Sequence, residues 1–297
     1  MVTGSASPPM SGGTRRTSRL LLQLARLGAL AGFCFGYLGA LHPFFDSFAP
    51  FRLHLLAVVV ALSLLLGWRR MVVAAILVVI VAQDVFATGA PVAGEPLTAW
   101  SHNLRFDNPA PLAEAERIRA ADPDLVMLQE VSTPNAAIVE ALADRYEGRL
   151  ICPGVTAVGG PAVMAREAFL DQGCELGLAW ARIETVHGPL TVASLHVHWP
   201  WPFEQAEDIA RLSAVVETLP RPLIVAGDFN NSAWSHAVHA MSDAAAAQAI
   251  PGWRNTFPSF AVHLDHVLLG AGWTGEVDVR AVGGSDHTAL LTRFGPR

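Results

Sequence analysis

Strongly apolar stretches fill the first ninety residues of the chain. Residues 20–41 are broken by strongly polar side chains only at Gln23 and Arg26, residues 53–68 only at His54 and Ser63, and residues 71–82 not at all. A further apolar run, 85–90, extends the third stretch past Gln83 and Asp84. A helix needs about 20 apolar residues to cross a bilayer. The first stretch meets that length, the third nearly does, and the second needs flanking residues or a thin membrane. A cleaved signal peptide accounts for the first stretch but leaves two more unexplained. A buried helical hairpin accounts for the second and third, yet the third has no polar face. Two spans result if the middle stretch fails to insert. The pattern predicts three transmembrane helices over residues 19–90. A disordered basic tail rich in Ser, Gly, Pro and Thr is expected before them over residues 1–18, and a linker after them over 91–96.

From residue 97 the apolar runs shorten and alternate with helical patterns. Residues 97–106, 124–131, 162–165, 176–185, 190–197, 223–226, 264–269, 277–282 and 288–294 read as strands. Residues 112–121, 135–146, 203–219 and 233–247 read as helices. Ser132-Thr-Pro134 supplies a start signal for the second, and Ile209, Leu212, Val215, Val216 and Leu219 give the third a helical apolar face. No repeat period is visible. The mixture implies one α/β layered domain over residues 97–297, with helices outside sheets. Consecutive strands between 162 and 197 argue for antiparallel hairpins and against a purely parallel, doubly wound sheet.

Composition divides at the same place. Charged residues make up 15% of the chain and hydrophobic ones 52%, whereas soluble domains carry about 25% charged residues. That balance argues against both a disordered protein and an ordinary soluble enzyme. All twenty basic residues are arginine. Residues 1–97 hold seven Arg against three acids, a net +4, and residues 98–297 hold thirteen Arg against twenty-three acids, a net −10. Arg15, Arg16 and Arg19 precede the first stretch, and Arg69 and Arg70 separate the second from the third. The intervening connection, residues 42–52, has a single Arg. Basic clusters favour the cytoplasmic face, so three crossings of the cell (inner) membrane place residues beyond 90 on the periplasmic or extracellular side. Cys34 lies within the first stretch. An outer compartment permits Cys152 and Cys174 to pair; two independent buried thiols fit the sequence equally well.

Candidate chemistry gathers at strand ends: Asn103, Glu130, His196 with His198, Asp228 with Asn230, Asp265, and Asp286 with His287. Each has an ordinary reading as a turn or solvated strand end. Together they form an oxygen-rich set suited to a hard cation such as Mg²⁺. In this order, Asn103-Leu104, Gln129-Glu130, Ser194-Leu-His196, Gly227-Asp-Phe-Asn230, Leu264-Asp265-His266 and Ser285-Asp-His287 resemble the endonuclease/exonuclease/phosphatase family over about residues 97–295. That family includes exonuclease III-like nucleases, neutral sphingomyelinases and inositol-polyphosphate phosphatases. The resemblance implies a four-layer α/β sandwich of two mixed sheets flanked by helices, and a Mg²⁺- or Mn²⁺-dependent phosphoesterase. It further implies that Glu130 ligates the metal with Asn103 close by, and that Asp286 assists the metal or holds its loop. Asp228 would position and deprotonate the attacking water, and Asn230 would orient it and the phosphate. His287, held by Asp265, would contact the scissile phosphate, and His196 would bind a phosphate oxygen.

Several nucleases of that family carry an active-site tyrosine between the glutamate and the Gly-Asp-Phe-Asn strand. The only tyrosine in that window, Tyr146, falls on an expected helix and receives no such role. Trp199-Pro-Trp-Pro202 after His198 reads as a site-edge loop whose aromatics stack on a base, dip into lipid, or pack internally. A net of −10 disfavours tight binding of long duplexes. Nucleic acid, phospholipid and small phosphoesters all remain candidate substrates, with the lipid bilayer as the expected partner of the helices. Two other classes compete. A zinc hydrolase would use His196, His198, His263, His266 and His287, which lack a tight multi-ligand motif. A catalytically silent membrane-anchored binding module would be expected to lack a metal ligand or the Asp-His pair, and neither is missing.

Overall fold

The computed structural model describes residues 12–154, 156–281 and 283–297. Helix α1 (Gly12–Phe35) leads through α2 (Pro43–Asp46) and a 3-10 turn (Ala49–Phe51) into α3 (Arg52–Leu66) and α4 (Trp68–Phe86). The first helix thus starts within the segment expected to be a disordered tail; residues 1–11 of that segment lie outside the described residues. Ala29, Val59 and Ala74 pack at one level of the bundle, and Phe33, Leu56 and Val81 at another. The one charge in mid-helix, Arg26, is buried and donates to Ser63 Oγ at 2.8 Å. Leucines and valines such as Leu21, Leu24, Leu65 and Val79 face outward. Two stretches, Arg16–Phe35 and Pro43–Leu66, are long and apolar enough to cross a membrane. Helix α4 is not one of them, because every window of eighteen residues within it contains Arg69, Arg70 and Asp84.

The rest forms two six-stranded sheets. β1 (Leu97–Asn103), β2 (Leu125–Val131), β3 (Gly148–Ile151), β4 (Gly160–Ala165), β11 (Trp273–Arg280) and β12 (Ala289–Pro296) build one, in the order β11-β12-β1-β2-β4-β3. β5 (Asp171–Glu175), β6 (Leu178–Ile183), β7 (Leu190–His196), β8 (Leu223–Asp228), β9 (Ala247–Ala249) and β10 (Asp265–Gly270) build the other, in the order β5-β6-β7-β8-β10-β9. Both are mixed. β1 and β2 are parallel through α5 (Pro111–Ala121), β7 and β8 are parallel through α7 (Gln205–Thr218), and the other pairings are antiparallel. The hairpins expected before residue 197 are the β5–β6–β7 meander.

Alternation along the strands sorts side chains into layers. On β7 and β8, Val192, Ile224 and Ala226 point between the sheets, where they meet Met127, Val163 and Phe294. Ala193, Leu223 and Val225 point the other way, onto Ile209, Leu212 and Val216 of α7 and Val238 and Met241 of α8 (His236–Ala245). Each fully buried aliphatic side chain of this kind contributes about 1.5–3 kcal/mol. Across the molecule, β1, β2 and β4 bury their outer faces under α5 and α6 (Ala136–Ala141) through Ile118, Val126, Ile138 and Met164. The result is the four-layer sandwich. Cys152 and Cys174 are joined in a disulfide that ties the segment after β3 to β5, the edge strand of the second sheet.

The helical bundle docks against this sandwich at one end. Asp46 accepts hydrogen bonds from the backbone N–H groups of His236 (2.9 Å) and Ala237 (3.0 Å), at the start of α8, and from Asn231 Nδ2 (3.3 Å). Ser235 Oγ accepts from Val238 N in the same turn. Arg52 donates to Trp234 O, and Trp234 Nε1 donates to Ala49 O. The end of α4 joins in through Trp253 N, which donates to Val85 O. The segment expected to be a linker is hydrogen-bonded too, for Glu95 O accepts from His187, and just before it Ala90 O accepts from Thr274.

Candidate active site

All of the candidate residues come to the same edge of the sandwich, some from each sheet. β1 delivers Asn103, β2 Glu130, β7 His196, β8 Asp228 and β10 Asp265. Glu130, His196 and Asp228 line a cleft of about 850 Å³, and Asn103 and Asp265 lie buried against them. Local backbone features aim several of them. The register of β2 against β4 slips between Leu128 and Val131, and Glu130 sits in this bulge at φ 57°. Bulges re-aim side chains in this way, here into the cleft. Asn230 at φ 47° and Arg105 at φ 59° adopt the same left-handed conformation beside the cleft. Such conformations are uncommon without glycine and gather at functional sites. Gly227 leaves room for β7, because a Cβ there would lie 2.0 Å from Leu195 O.

The carboxylates converge. Asn103 Nδ2 donates to Glu130 Oε1 at 3.0 Å and to Asp228 Oδ2 at 2.8 Å. The same two oxygens each lie 3.8 Å from His196 Nε2. Glu130 Oε2 accepts from Phe106 N, and Asp228 Oδ1 accepts from Asn230 N. His287 spans the second pair of acids, with Nδ1 2.8 Å from Asp265 Oδ2 and Nε2 3.7 Å from Asp228 Oδ2. Burial alone would strip the proton from His287, but the charges of Asp265 and Asp228 outweigh it and raise its pKa to about 10. The imidazole is therefore held as a cation between two carboxylates. Burial pushes the Asp265 carboxyl upward, and the 2.8 Å pairing with His287 is what makes its charge tolerable there.

These residues fit a divalent cation. Glu130 and Asp228 set two carboxylates side by side, held by the Asn103 amide N–H groups while its oxygen accepts from Arg105 N, and the buried Asn230 Oδ1 and Asp265 Oδ1 have no hydrogen-bond partner. Asp228, Asp265 and His287 also lie close enough together to suggest a ligand group. In that group His287 Nδ1 is already bonded to Asp265 Oδ2 and Nε2 faces Asp228 Oδ2, so it reads as an acid–imidazole–acid chain, and Glu130, with Asn103 beside it, is the better metal cradle. Asp286 lies exposed on the cleft wall. The loop is held instead by its neighbour: Ser285 Oγ donates to Asn103 O and accepts from His287 N.

The five histidines of a zinc site do not assemble. His263 and His266 are buried side by side, and burial lowers both, His266 to about 4. His266 Nε2 donates to Asn231 O. Tyr146 is buried, with its hydroxyl on Pro123 O. Several participants were not visible in the sequence pattern. Asp208 of α7 holds His198 through both its Nδ1 and its backbone N–H, at 2.7 and 3.0 Å. Glu114 lies 2.7 Å from His102 Nδ1, and the other nitrogen of that ring lies 3.4 Å from His287 O. Among the described residues, Arg105 is the only arginine on the cleft lining.

A model of the Endonuclease/Exonuclease/phosphatase family matches residues 100–287. Solved structures share the fold at low identity. The endonuclease/exonuclease/phosphatase from Bacteroides vulgatus superposes with a TM-score of 0.58 at 15% identity, covering 69% of this chain and 100% of that one. Sphingomyelinase C from Streptomyces griseocarneus gives 0.51 at 16% identity, covering 67% and 99%. D. rerio TDP2 complexed with single strand DNA product gives 0.52 at 18% identity, covering 68% and 100%. No curated protein matches the sequence.

Proposed function

Because the chain belongs to the endonuclease/exonuclease/phosphatase family of metal-dependent phosphoesterases, we propose that it is a membrane-anchored hydrolase that attacks a phosphoester with water on the outer face of the membrane. The observation that carries this reading is the Asp265–His287–Asp228 chain facing Glu130 across one cleft. Mg²⁺ or Mn²⁺ bound at Glu130, with Asn103 alongside, would neutralise phosphate charge and polarise the ester. Asp228 takes the proton from the attacking water. Its Oδ1 is fixed by Asn230 N and its Oδ2 by Asn103 Nδ2, with His196 and His287 on the same side. His287 presents Nε2–H to the phosphate and stabilises the charge that builds as the phosphorus–oxygen bond breaks. Asp265 keeps that ring charged and oriented, and His196 and Asn230 complete the phosphate contacts.

The membrane part of the proposal draws on three observations. The bundle turns apolar side chains outward. Arg16, Arg19, Arg69 and Arg70 lie at the end remote from the docked domain, which contacts the α1–α3 connection and the end of α4. The disulfide belongs in an oxidising compartment. Helix α4 has nineteen residues, or about 28 Å at about 1.5 Å per residue, so it crosses if its terminal charges reach the two interfaces. A reporter fused after residue 97 is expected to read the outer compartment; a cytoplasmic signal would overturn the orientation.

Full-length protein in detergent should hydrolyse bis(p-nitrophenyl) phosphate with Mg²⁺ or Mn²⁺ and not with chelator. Asp228→Ala and His287→Ala should each abolish turnover while the circular dichroism spectrum is kept. Unchanged rates in either variant would refute the site.

A further inference from the structure

Aromatic rings run from the outer end of the helical bundle to the catalytic imidazole. Phe44, in the connection between α1 and α3, packs edge-on against Trp201 at 5.2 Å, and Ser47 Oγ donates to Trp201 O at 2.9 Å. Two residues away, Trp199 meets Phe257 at 5.9 Å, and Phe257 lies 4.8 Å from the His287 ring. Trp199, Trp201, Phe203 and Phe260 are 38%, 46%, 56% and 59% exposed. Water-soluble surfaces rarely line up large rings in this way, whereas membrane–water interfaces concentrate Trp at headgroup level. The rings begin at the end of the bundle that meets the sandwich and end at the cleft.

The cleft is also selective by charge. Besides Glu130 and Asp228 it presents Asp107, Asp208 and Asp286, against one arginine, Arg105. A polyanionic strand has no basic track to follow here. A headgroup that carries its own cation beside the phosphate meets favourable charge on both sides. We propose that the aromatic ledge rests in the headgroup layer of the bilayer the helices cross, and that the substrate is the phosphodiester of a zwitterionic phospholipid in that same outer leaflet. This rests on the hydrolase reading above and adds the substrate class to it. Water attacks the phosphorus, one phosphorus–oxygen bond breaks, and the proton released from water leaves with the departing alcohol.

The test uses full-length protein reconstituted in phosphatidylcholine vesicles, with phosphatidylglycerol vesicles and a single-stranded oligonucleotide as parallel substrates. Phosphatidylcholine turnover is expected to exceed the other two at least tenfold. Trp201→Ala and Phe260→Ala, neither of which lines the cleft, should each lower vesicle turnover at least fivefold and leave hydrolysis of bis(p-nitrophenyl) phosphate unchanged. Preference for the oligonucleotide or for phosphatidylglycerol overturns the substrate assignment, and equal vesicle turnover in both variants overturns the ledge. If the wild-type protein cleaves the soluble ester but not phosphatidylcholine, this inference fails and the hydrolase reading stands. If it cleaves neither, the hydrolase reading itself has failed.

Discussion

Replacing Asp46 with alanine should destabilise a domain that begins fifty residues later. Asp46 is buried at the junction and satisfies three donors: the N–H groups of His236 and Ala237 and the amide of Asn231. The two N–H groups belong to the first turn of α8, where no intrahelical acceptor exists, and Ser235 serves only Val238. Hydrogen bonds to a charged group are worth about 1.5–3 kcal/mol each. Asn231 Nδ2 keeps a second acceptor in Gln205 Oε1 at 2.9 Å, so its loss counts for less. Two orphaned helix donors plus part of a third give a cost of about 3–5 kcal/mol, or roughly a 10 °C fall in the melting temperature of the sandwich. Thermal unfolding in detergent measures the fall, and hydrogen exchange at the His236 and Ala237 amides locates it. Gly39→Ala should act similarly, because a Cβ at that position would lie 2.3 Å from Asp46 Oδ1. A shift below about 2 °C in both variants, with α8 protection intact, would refute the capping role.

Three further outcomes follow from the site and the staple. In metal-free protein, His287 is raised from its ordinary 6.5 to about 10, so its contribution to stability is complete below pH 6.5 and is lost as pH rises through 10; Asp265→Asn should flatten that decline in denaturation curves and cut turnover by ~10²–10⁴. Glu130→Gln should raise the Mg²⁺ concentration needed for half-maximal activity by at least ~10-fold, read from metal titrations, with the fold kept. Reducing the disulfide, which closes a loop of sequence separation 22, should cost about 3 kcal/mol by the chain-entropy relation, measured as a lower urea midpoint.

The strands that carry chemistry were legible because they are buried on both faces, so their apolar runs are long and end abruptly at polar residues. β5 was not, since Asp171-Gln-Gly-Cys-Glu175 is an edge strand with polar, exposed positions. β3 and β9 are too short to show a period. Asn103, Glu130, His196, Asp228, Asp265 and His287 each stand at or beside the end of an apolar run, which is what makes them readable, and the fold brings them to one edge. The bulge that turns Glu130 inward leaves no mark on hydrophobic alternation. Asp208 reads in sequence as one more acid in the first turn of a helix, and Asp46 as a stray charge between spans. Both act on residues distant in the chain, a relation that no local pattern encodes. The expected tail lost residues 12–18 to α1, because the helix begins before the apolar run does.

The site is split between two sheets, with Asn103 and Glu130 on one and His196, Asp228 and Asp265 on the other. Face-to-face apolar packing is non-directional and by itself offers little resistance to one sheet sliding over its neighbour. Directly beneath the cleft, Gln129 Nε2 donates to Ser194 Oγ at 2.9 Å, and Ser194 Oγ donates to Leu128 O at 2.8 Å, with both side chains fully buried. These bonds join β2 to β7 across the interior, one residue from Glu130 and two from His196. They work as a dowel between two plates: the separation of the two half-sites is gauged by a peg below the floor of the cleft, and a slip of even one ångström would have to shear it first.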